Sequence, residues 1–206
     1  MSQARKPAPP GRRHKAANGN DDRVEAQPDE QRLERELFGR LRRRQREALG
    51  RLVREYGPAL VRAAYLYLGD RHAAEDVAQD TLIAAWDTAK RARPETKLRP
   101  WLFGILFNRC RKHRRSLGRR LRRERSAAAR RQAEGDSVGH EDDSVERLGE
   151  ALARLDEALR AVVILRYERG LSVAQTAEAL GLPEGTVKSR THAAIRKLRG
   201  WIGQDR

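Results

Sequence analysis

Near the carboxyl end of the chain, residues 171–199 read LSVAQTAEALGLPEGTVKSRTHAAIRKLR, the most informative segment for the fold. Ser172 is a good N-cap for a short helix, VAQTAEAL, because its side-chain oxygen can accept a hydrogen bond from a free N–H of the first turn. Gly181 suits the left-handed conformation that ends a helix, and Leu182 would return to the core. The stretch therefore predicts two helices joined by a tight turn.

The second of these helices combines an apolar stripe with a polar face. We expect its body to run from Glu184 to about Arg199, with Pro183 in its first turn. The inner stripe consists of Val187, Thr191, Ala194, Ile195 and Leu198. The opposite face carries Gly185, Thr186, Ser189, His192 and Arg196, flanked by Lys188 and Arg190. Such a face suits the major groove of DNA, although an ordinary helical hairpin with a solvated polar face has the same pattern.

The charge of the chain favours a polyanionic partner. Its 206 residues include 45 Lys and Arg against 29 Asp and Glu, a net charge of +16, which goes with nucleic acid or an anionic membrane surface. No apolar stretch approaches the ~20 residues that cross a bilayer, and the basic amino terminus lacks the apolar segment of a secretory signal. The single cysteine, Cys110, can form no intramolecular disulfide. These features predict a cytoplasmic protein without membrane insertion.

One helix of this basic chain is acidic. Asp70 can cap a helix that begins at Arg71 and reads RHAAEDVAQDTLIAAWDTA. One of its sides is small and apolar, and the other carries Asp76, Gln79, Asp80, Ile83 and Asp87. Exposed apolar groups ringed by carboxylates are typical of an interface for a basic protein partner. The alternative is a solvated helix whose acids pair with neighbouring arginines.

A further helix, WLFGILFNRCRKHRR, follows the loop KRARPETK. Its apolar residues are Trp101, Leu102, Ile105 and Leu106, and its donors are Asn108, Arg109, Arg111, Lys112, Arg114 and Arg115. Cations beside aromatic rings suit single-stranded DNA, in which bases stack and phosphates pair with Arg or Lys. The alternative for Trp101 is a place in the core.

Composition divides the chain into four segments. Residues 1–32 are rich in Pro, Gly and charge, and we expect them to be disordered. Helical periodicity covers residues 33–115 and again 145–206. Residues 116–144 predict a flexible linker, and its arginine-rich start suits non-specific contact with phosphates. The expected fold is all-α, with two small helical domains joined by this flexible basic linker.

The carboxyl-terminal segment resembles a known family. From Leu155 onward, LDEALRAVVILRYERGLSVAQTAEALGLPEGTVKSRTHAAIRKLR is similar to region 4 of extracytoplasmic-function (group IV) sigma factors, a subfamily of the sigma-70 family. The resemblance implies that the helix-turn-helix, about 172–192, reads the upstream (−35) promoter element. The residues it implies at the DNA are Pro183, Glu184, Gly185, Thr186, Lys188, Ser189, Arg190, His192 and Arg196. The family usually has leucine where this chain has Thr191, whose hydroxyl makes burial less favourable.

The preceding segment resembles region 2 of the same family. The sequence AEDVAQDTLIAAW is similar to region 2.2, which implies docking onto the coiled coil of the largest polymerase subunit. The docking residues it implies are Asp76, Val77, Ala78, Gln79, Asp80 and Ile83. The next helix is similar to regions 2.3 and 2.4, which capture and melt the downstream (−10) element, and the loop before it would hold a flipped base. The residues implied at that element are Lys97, Arg99, Trp101, Asn108, Arg109, Arg111 and Lys112.

The resemblance implies a sigma factor that directs core RNA polymerase to promoters and assists promoter melting. Its implied partners are the coiled coil and the flap of the polymerase, double- and single-stranded promoter DNA and, by analogy, an anti-sigma factor. We predict no catalytic residue, metal site or cofactor, since the sequence has no nucleophile-and-base cluster, metal-ligand spacing or glycine-rich phosphate loop. One alternative is a free-standing dimeric regulator that binds palindromic half-sites. Another is an enzyme such as a recombinase with a helix-turn-helix tail.

Overall fold

The computed structural model describes residues 28–127 and 143–202, and every regular element in these two ranges is helical. The helices are α1 (Pro28–Arg42), α2 (Arg46–Leu68), α3 (Arg71–Thr88), α4 (Leu98–Ala127), α5 (Asp143–Ala153), α6 (Glu157–Val163), α7 (Val173–Leu180) and α8 (Glu184–Ile202). A 3₁₀ turn, Ala89–Arg91, follows α3, and a π-helical turn, Ile164–Glu168, follows α6. The predicted all-α fold is confirmed.

Two helices extend into segments that we expected to be irregular. The amino-terminal extension was predicted to reach residue 32, yet α1 begins at Pro28. Proline suits a first helical position, and Asp29 and Glu30 stabilise the first turn through the helix dipole. The linker was predicted from residue 116, yet α4 continues to Ala127, because its Arg, Leu and Ala residues are good helix formers. Residues 1–27 and 128–142 lie outside the described residues.

Helices α1 to α4 form the amino-terminal unit, with a core rich in leucine and aromatic residues. The Tyr67 ring meets the edge of Phe107 with centroids 5.3 Å apart, and Phe38 lies 4.8 Å from Trp101. The fully buried leucines of this core are Leu37, Leu41, Leu52, Leu60, Leu66, Leu98, Leu102 and Leu106. Burying side chains of this size stabilises the unit by about 1.5–3 kcal/mol each, which fixes the direction in which α3 and α4 present their outer faces.

The junction between α2 and α3 follows the predicted cap. Gly69 ends α2 in the left-handed conformation, at φ 77°. Asp70 then accepts a hydrogen bond from the Ala73 N–H at 2.8 Å, so α3 begins at Arg71 as expected. The cap fixes the residue at which α3 begins.

Helices α5 to α8 form the carboxyl-terminal unit, which contains the predicted helix pair. Ser172 accepts from the Gln175 N–H at 3.1 Å, and the Gln175 side chain accepts from the Ser172 N–H at 2.9 Å, a reciprocal capping box. Gly181 ends α7 at φ 65°, and the Leu182 N–H donates to the Ala177 carbonyl. Helix α8 begins at Glu184, with Pro183 just before it. The predicted helix-turn-helix is confirmed.

Candidate polymerase and nucleic-acid interfaces

Helix α3 turns an acidic face to the solvent. Asp76, Gln79 and Asp80 are exposed, and the Ile83 side chain is 52% exposed although it is apolar. Two of the residues that we expected at this face are in the core instead, since Val77 and Ala78 are only 5% and 2% exposed. They precede Thr81 by one helical turn and lie on the same buried side of α3. They therefore pack α3 against its neighbours and offer little surface to a partner.

An apolar groove lies beside this acidic face, between α2 and α3. It has a volume of about 450 Å³. From α2 it is lined by Leu49, Val53, Gly57 and Val61, and from α3 by Glu75, Ala78, Gln79, Leu82, Ile83 and Trp86. The α2 half was missed by the sequence analysis. Its signal was present, because these four α2 residues follow one another at intervals of four, the spacing of a single helical face.

The carboxylates around the groove differ in their partners. Asp80 pairs with Arg109 of α4 at 3.0 Å, Asp87 with Arg44 at 3.5 Å, and Glu75 with Arg71 at 3.2 Å. Asp76 makes no side-chain hydrogen bond or ion pair with any residue that the structure describes. The alternative of a solvated helix whose acids pair with arginines thus explains part of the acidic face. It does not explain the apolar groove or the unpaired Asp76.

Helix α4 presents polar and cationic side chains beyond its buried stripe. Asn108 and Lys112 are exposed, and Lys97 is exposed in the preceding loop. The Arg111 guanidinium donates to the Asn108 side chain at 2.6 Å and to the Phe107 carbonyl at 3.3 Å. Trp101 is half-buried and packs against Phe38 at the edge of the core. The polar side chains of Lys97, Asn108, Arg111 and Lys112 form one strip that is open to a nucleic acid.

Arg99 does not belong to this strip. Its guanidinium donates to the Arg169 carbonyl at 2.6 Å and lies 3.7 Å from the Glu34 carboxylate and 4.0 Å from Glu30. In this conformation, partners distant in sequence hold the Arg99 side chain between the two units, and its predicted contact with DNA stays a prediction.

Helix α8 carries the second candidate DNA surface. Pro183, Glu184, Gly185, Lys188, Ser189, His192 and Arg196 are exposed, and Thr186 and Arg190 are half-buried. Val187 and Ala194 are fully buried on the inner side. Thr191 is half-buried, and its hydroxyl donates to the Val187 carbonyl at 2.8 Å, which satisfies the polar group that made threonine unfavourable on the inner stripe.

Cys110 lies inside the amino-terminal unit with no exposed surface. Burial raises the pKa of its thiol to about 12. Because the thiolate is the reactive form, the environment of Cys110 favours a packing role.

Two family models match the chain, and they do so in the order of the two units. Sigma-70 region 2 matches residues 52–120, and Sigma-70 region 4 matches residues 151–200. The ECF RNA polymerase sigma factor SigL of Mycobacterium tuberculosis is 39% identical over 158 residues, which cover 70% of this chain and 83% of the relative. The chain belongs to the sigma-70 family. It is a sigma factor of the extracytoplasmic-function type, and α1 to α4 contain its region 2 while α5 to α8 contain its region 4.

Solved sigma-factor structures share this fold. The structure of CnrH in complex with the cytosolic domain of CnrY superposes with a TM-score of 0.65 at 28% identity, covering 84% of this chain and 99% of the other. The sigma factor RpoE of Bartonella quintana, in complex with the anti-sigma factor NepR, superposes with a TM-score of 0.63 at 28% identity, covering 76% of this chain and 98% of the other. The dimeric-regulator alternative is not favoured, because it leaves region 2 without a role.

None of the helices in the described ranges is long and apolar enough to cross a bilayer.

Proposed function

We propose that this sigma factor directs core RNA polymerase to promoters through three separate surfaces, and that the polymerase performs all of the chemistry. The observation that carries the proposal is the contrast between an acidic, grooved face on region 2 and basic faces on α4 and α8. Like charges repel, so the acidic face is unsuited to DNA and the basic faces are unsuited to a basic protein. The protein would act in the cytoplasm, where the polymerase is.

The first surface is the α2–α3 groove with its acidic rim, which we assign to the polymerase. Asp76 and Gln79 have free polar groups, and Ile83 and Val53 expose apolar area at the groove. Apolar anchors inside a charged rim are the arrangement in which binding energy concentrates at protein interfaces. We expect an apolar side chain of the largest subunit's coiled coil to enter the groove while basic side chains meet Asp76.

The second and third surfaces are the DNA-contacting faces. Along α4 we assign Asn108, Arg109, Arg111 and Lys112, with Lys97 of the loop, to the unpaired −10 element. On α8 we assign Thr186, Lys188, Ser189, Arg190 and His192 to the −35 duplex. Lys and Arg contacts to phosphate position the protein, and the side chains that reach base edges give specificity.

An anti-sigma factor is a further proposed partner. Two of the structurally similar sigma factors were solved with a bound protein: the RpoE structure contains the anti-sigma factor NepR, and the CnrH structure contains the cytosolic domain of CnrY. For this chain we expect a regulator that covers the α2–α3 groove and so competes with the polymerase.

Run-off transcription with purified core polymerase on a library of GC-rich genomic fragments tests the proposal. Specific start sites should appear only when the protein is added. Asp76→Arg should abolish them while binding to free DNA persists. Glu47→Arg reverses an exposed charge on a residue that does not line the groove, and it should leave the start sites unchanged. Binding of a palindrome by the protein alone, without any initiation, would contradict the proposal in favour of the dimeric regulator.

A further inference from the structure

The amino-terminal extension contains a proline motif inside a basic stretch of sequence. Residues 6–13, which we call the proline segment, read KPAPPGRR, and Pro7 and Pro10 are three positions apart. Sequences rich in proline favour the polyproline II helix, which has three residues per turn, so these two prolines would share one side of it. Residues 1–20 contain five Lys or Arg and no Asp or Glu. Their charge is therefore opposite to that of the outer face of α3.

The α2–α3 groove has the features by which proteins recognise such segments. Polyproline II segments dock into grooves that are lined by aromatic side chains. Trp86 lines this groove from α3, and the exposed apolar side chains of Val53 and Ile83 line it from the two helices. A Cβ atom on Gly57 would have nothing within 4 Å, so the groove is open at this position on α2. The groove can therefore receive apolar rings from outside.

The rim of the groove supplies a carboxylate for an arginine that follows the prolines. Asp76 is exposed and has no ion-pair partner among the residues that the structure describes. It lies seven residues before Ile83, about 10 Å along α3. Arg12 and Arg13 follow Pro10 by about 6–9 Å in a polyproline II helix, and their long side chains cover the remaining distance. Pro10 near Ile83 therefore places a guanidinium near Asp76, where a charge-assisted hydrogen bond can form.

The chain between the proline segment and α1 is long enough for this contact. The Tyr56 hydroxyl donates to Glu34 at 3.1 Å, which places α1 beside α2. Pro28 lies six residues before Glu34, about 9 Å along α1, and α2 is about 10–12 Å wide, so Pro28 lies roughly 20 Å from the groove. The chain from Pro10 to Pro28 spans about 23 Å as a random coil and up to about 60 Å when extended.

We propose that the proline segment occupies the α2–α3 groove of the free protein, with Pro7 and Pro10 in the groove and the two arginines at Asp76, and that it thereby competes with the polymerase. This inference rests on the proposed assignment of the groove to the polymerase. Because the segment is tethered, its effective concentration at the groove is about 1 mM. A Kd of about 0.1 mM for the separate segment would then fill the groove in roughly nine of ten molecules, which weakens the apparent affinity for polymerase about tenfold.

A photoreactive amino acid in place of Ala8 tests the contact in the full-length protein without polymerase. Ala8 lies between Pro7 and Pro10, so the probe leaves both prolines and both arginines in place. After illumination, the monomer fraction is digested and the attachment site is found by mass spectrometry. The probe should attach within residues 49–61 or 75–86, the parts of α2 and α3 that line the groove. Attachment only to other parts of the chain would overturn the proposal.

Charge reversals measure the competition with the polymerase. Arg12→Glu with Arg13→Glu should remove most of the attachment to the groove and raise the affinity for core polymerase about tenfold. Arg32→Glu with Arg35→Glu is the matched control, because it changes the net charge equally at exposed residues of α1, and it should change neither result. The affinities are measured in a fluorescence binding assay. If the variant at 12 and 13 binds polymerase no more tightly than the control, the competition is wrong. A loss of affinity for duplex DNA alone would assign the segment to DNA instead.

Proline substitutions separate docking in the groove from charge attraction. Pro7→Ala with Pro10→Ala keeps the charge of the segment, and it should raise the affinity for core polymerase severalfold because the two rings that fill the groove are lost. Pro9→Ala is the control, since residue 9 lies on another side of a polyproline II helix. Equal affinities for the double variant and the control would show that the prolines do not dock.

Failure of this inference and failure of the proposed function give different results. If the probe at position 8 misses the groove while run-off transcription yields specific start sites, the contact of the proline segment is wrong and the sigma function stands. If the probe reaches the groove but core polymerase yields no start site, the contact stands and the proposed function is wrong.

Discussion

Helices α3 and α8 are almost equal in length, at 18 and 19 residues, and each buries one side against its own region. They differ in what they turn outward. The outer side of α3 carries Asp76, Asp80 and the apolar Ile83, whereas that of α8 carries Lys188, Ser189 and Arg196. The helical backbone that the two share therefore does not determine the partner; the charge of the outward side chains selects it.

The surfaces around the two helices also differ in shape. Helix α3 shares a groove with α2, so the surface is concave and apolar at its centre. Helix α8 stands clear at its amino-terminal end, where a Cβ on Gly185 would have nothing within 4 Å. A concave apolar surface receives a protruding side chain of another protein, and a convex basic helix enters a DNA groove.

The largest effect should come from placing a cation in the groove. We expect Ile83→Arg to weaken binding to core polymerase by about 2 kcal/mol, roughly thirtyfold, because an interface anchor is lost and the basic partner is repelled. Leu33→Arg is the matched control, since Leu33 is a similarly exposed apolar residue on α1 away from the groove. The affinities for core polymerase are measured in a fluorescence binding assay. If the two variants lose the same affinity, the α3 face is no more important for docking than any other apolar surface.

The next effect concerns the phosphate contacts of α8. Lys188→Ala should weaken binding to duplex DNA about uniformly across sequences and lower the slope of log affinity against log salt by about 1. Lys197→Ala on the same helix should leave the slope unchanged, because Lys197 already pairs with Asp156 at 2.8 Å. The slopes are measured by anisotropy titrations over a range of salt. An unchanged slope for Lys188→Ala would show that this end of α8 does not meet phosphate.

The two helix caps offer a smaller effect. Ser172→Ala and Asp70→Ala should each lower the free energy of unfolding by about 1 kcal/mol, because each removes an acceptor for a first-turn N–H. Ser172→Ala should reduce duplex binding and spare polymerase docking, and Asp70→Ala should do the reverse. Urea unfolding followed by circular dichroism gives the energies. Ser189→Ala is the control for a serine that caps no helix, and a change above about 0.5 kcal/mol there would undermine the argument.

The smallest effect lies where the polymerase and DNA surfaces meet. Asp80 and Arg109 pair across this boundary, and both side chains are partly exposed to water. A double-mutant cycle with Asp80→Asn and Arg109→Gln should therefore give a coupling of at most about 1 kcal/mol, and added salt should reduce it. If salt does not change the coupling energy, the Asp80–Arg109 pair is shielded from the solvent. The polymerase surface and the DNA surface would then not be independent.

Local signals accounted for most of the fold. The caps at Asp70 and Ser172 and the turn at Gly181 lie where the sequence indicated, because each depends on neighbours within a few residues. The start of α1 was placed too late, since the composition around Pro28 resembles that of a disordered segment.

Contacts between distant residues could not be predicted. Arg99 was expected at DNA, but its partner Arg169 is 70 residues away. The burial of Arg160 was equally hidden, because its acceptor on Tyr67 is 93 residues away. The α2 half of the groove is indicated in the sequence by the spacing of four between Leu49, Val53, Gly57 and Val61. Whether this helical stripe is exposed depends on how α3 packs against α2, which the sequence does not indicate.

Photo-crosslinking within the assembled transcription complex tests the division of surfaces most directly. A photoreactive amino acid would replace Gln79 on α3 in one preparation and Ser189 on α8 in another. The position-79 probe should attach to the largest polymerase subunit, and the position-189 probe should attach to duplex promoter DNA. Attachment of the position-79 probe to DNA, or of the position-189 probe to protein alone, would contradict this division of surfaces.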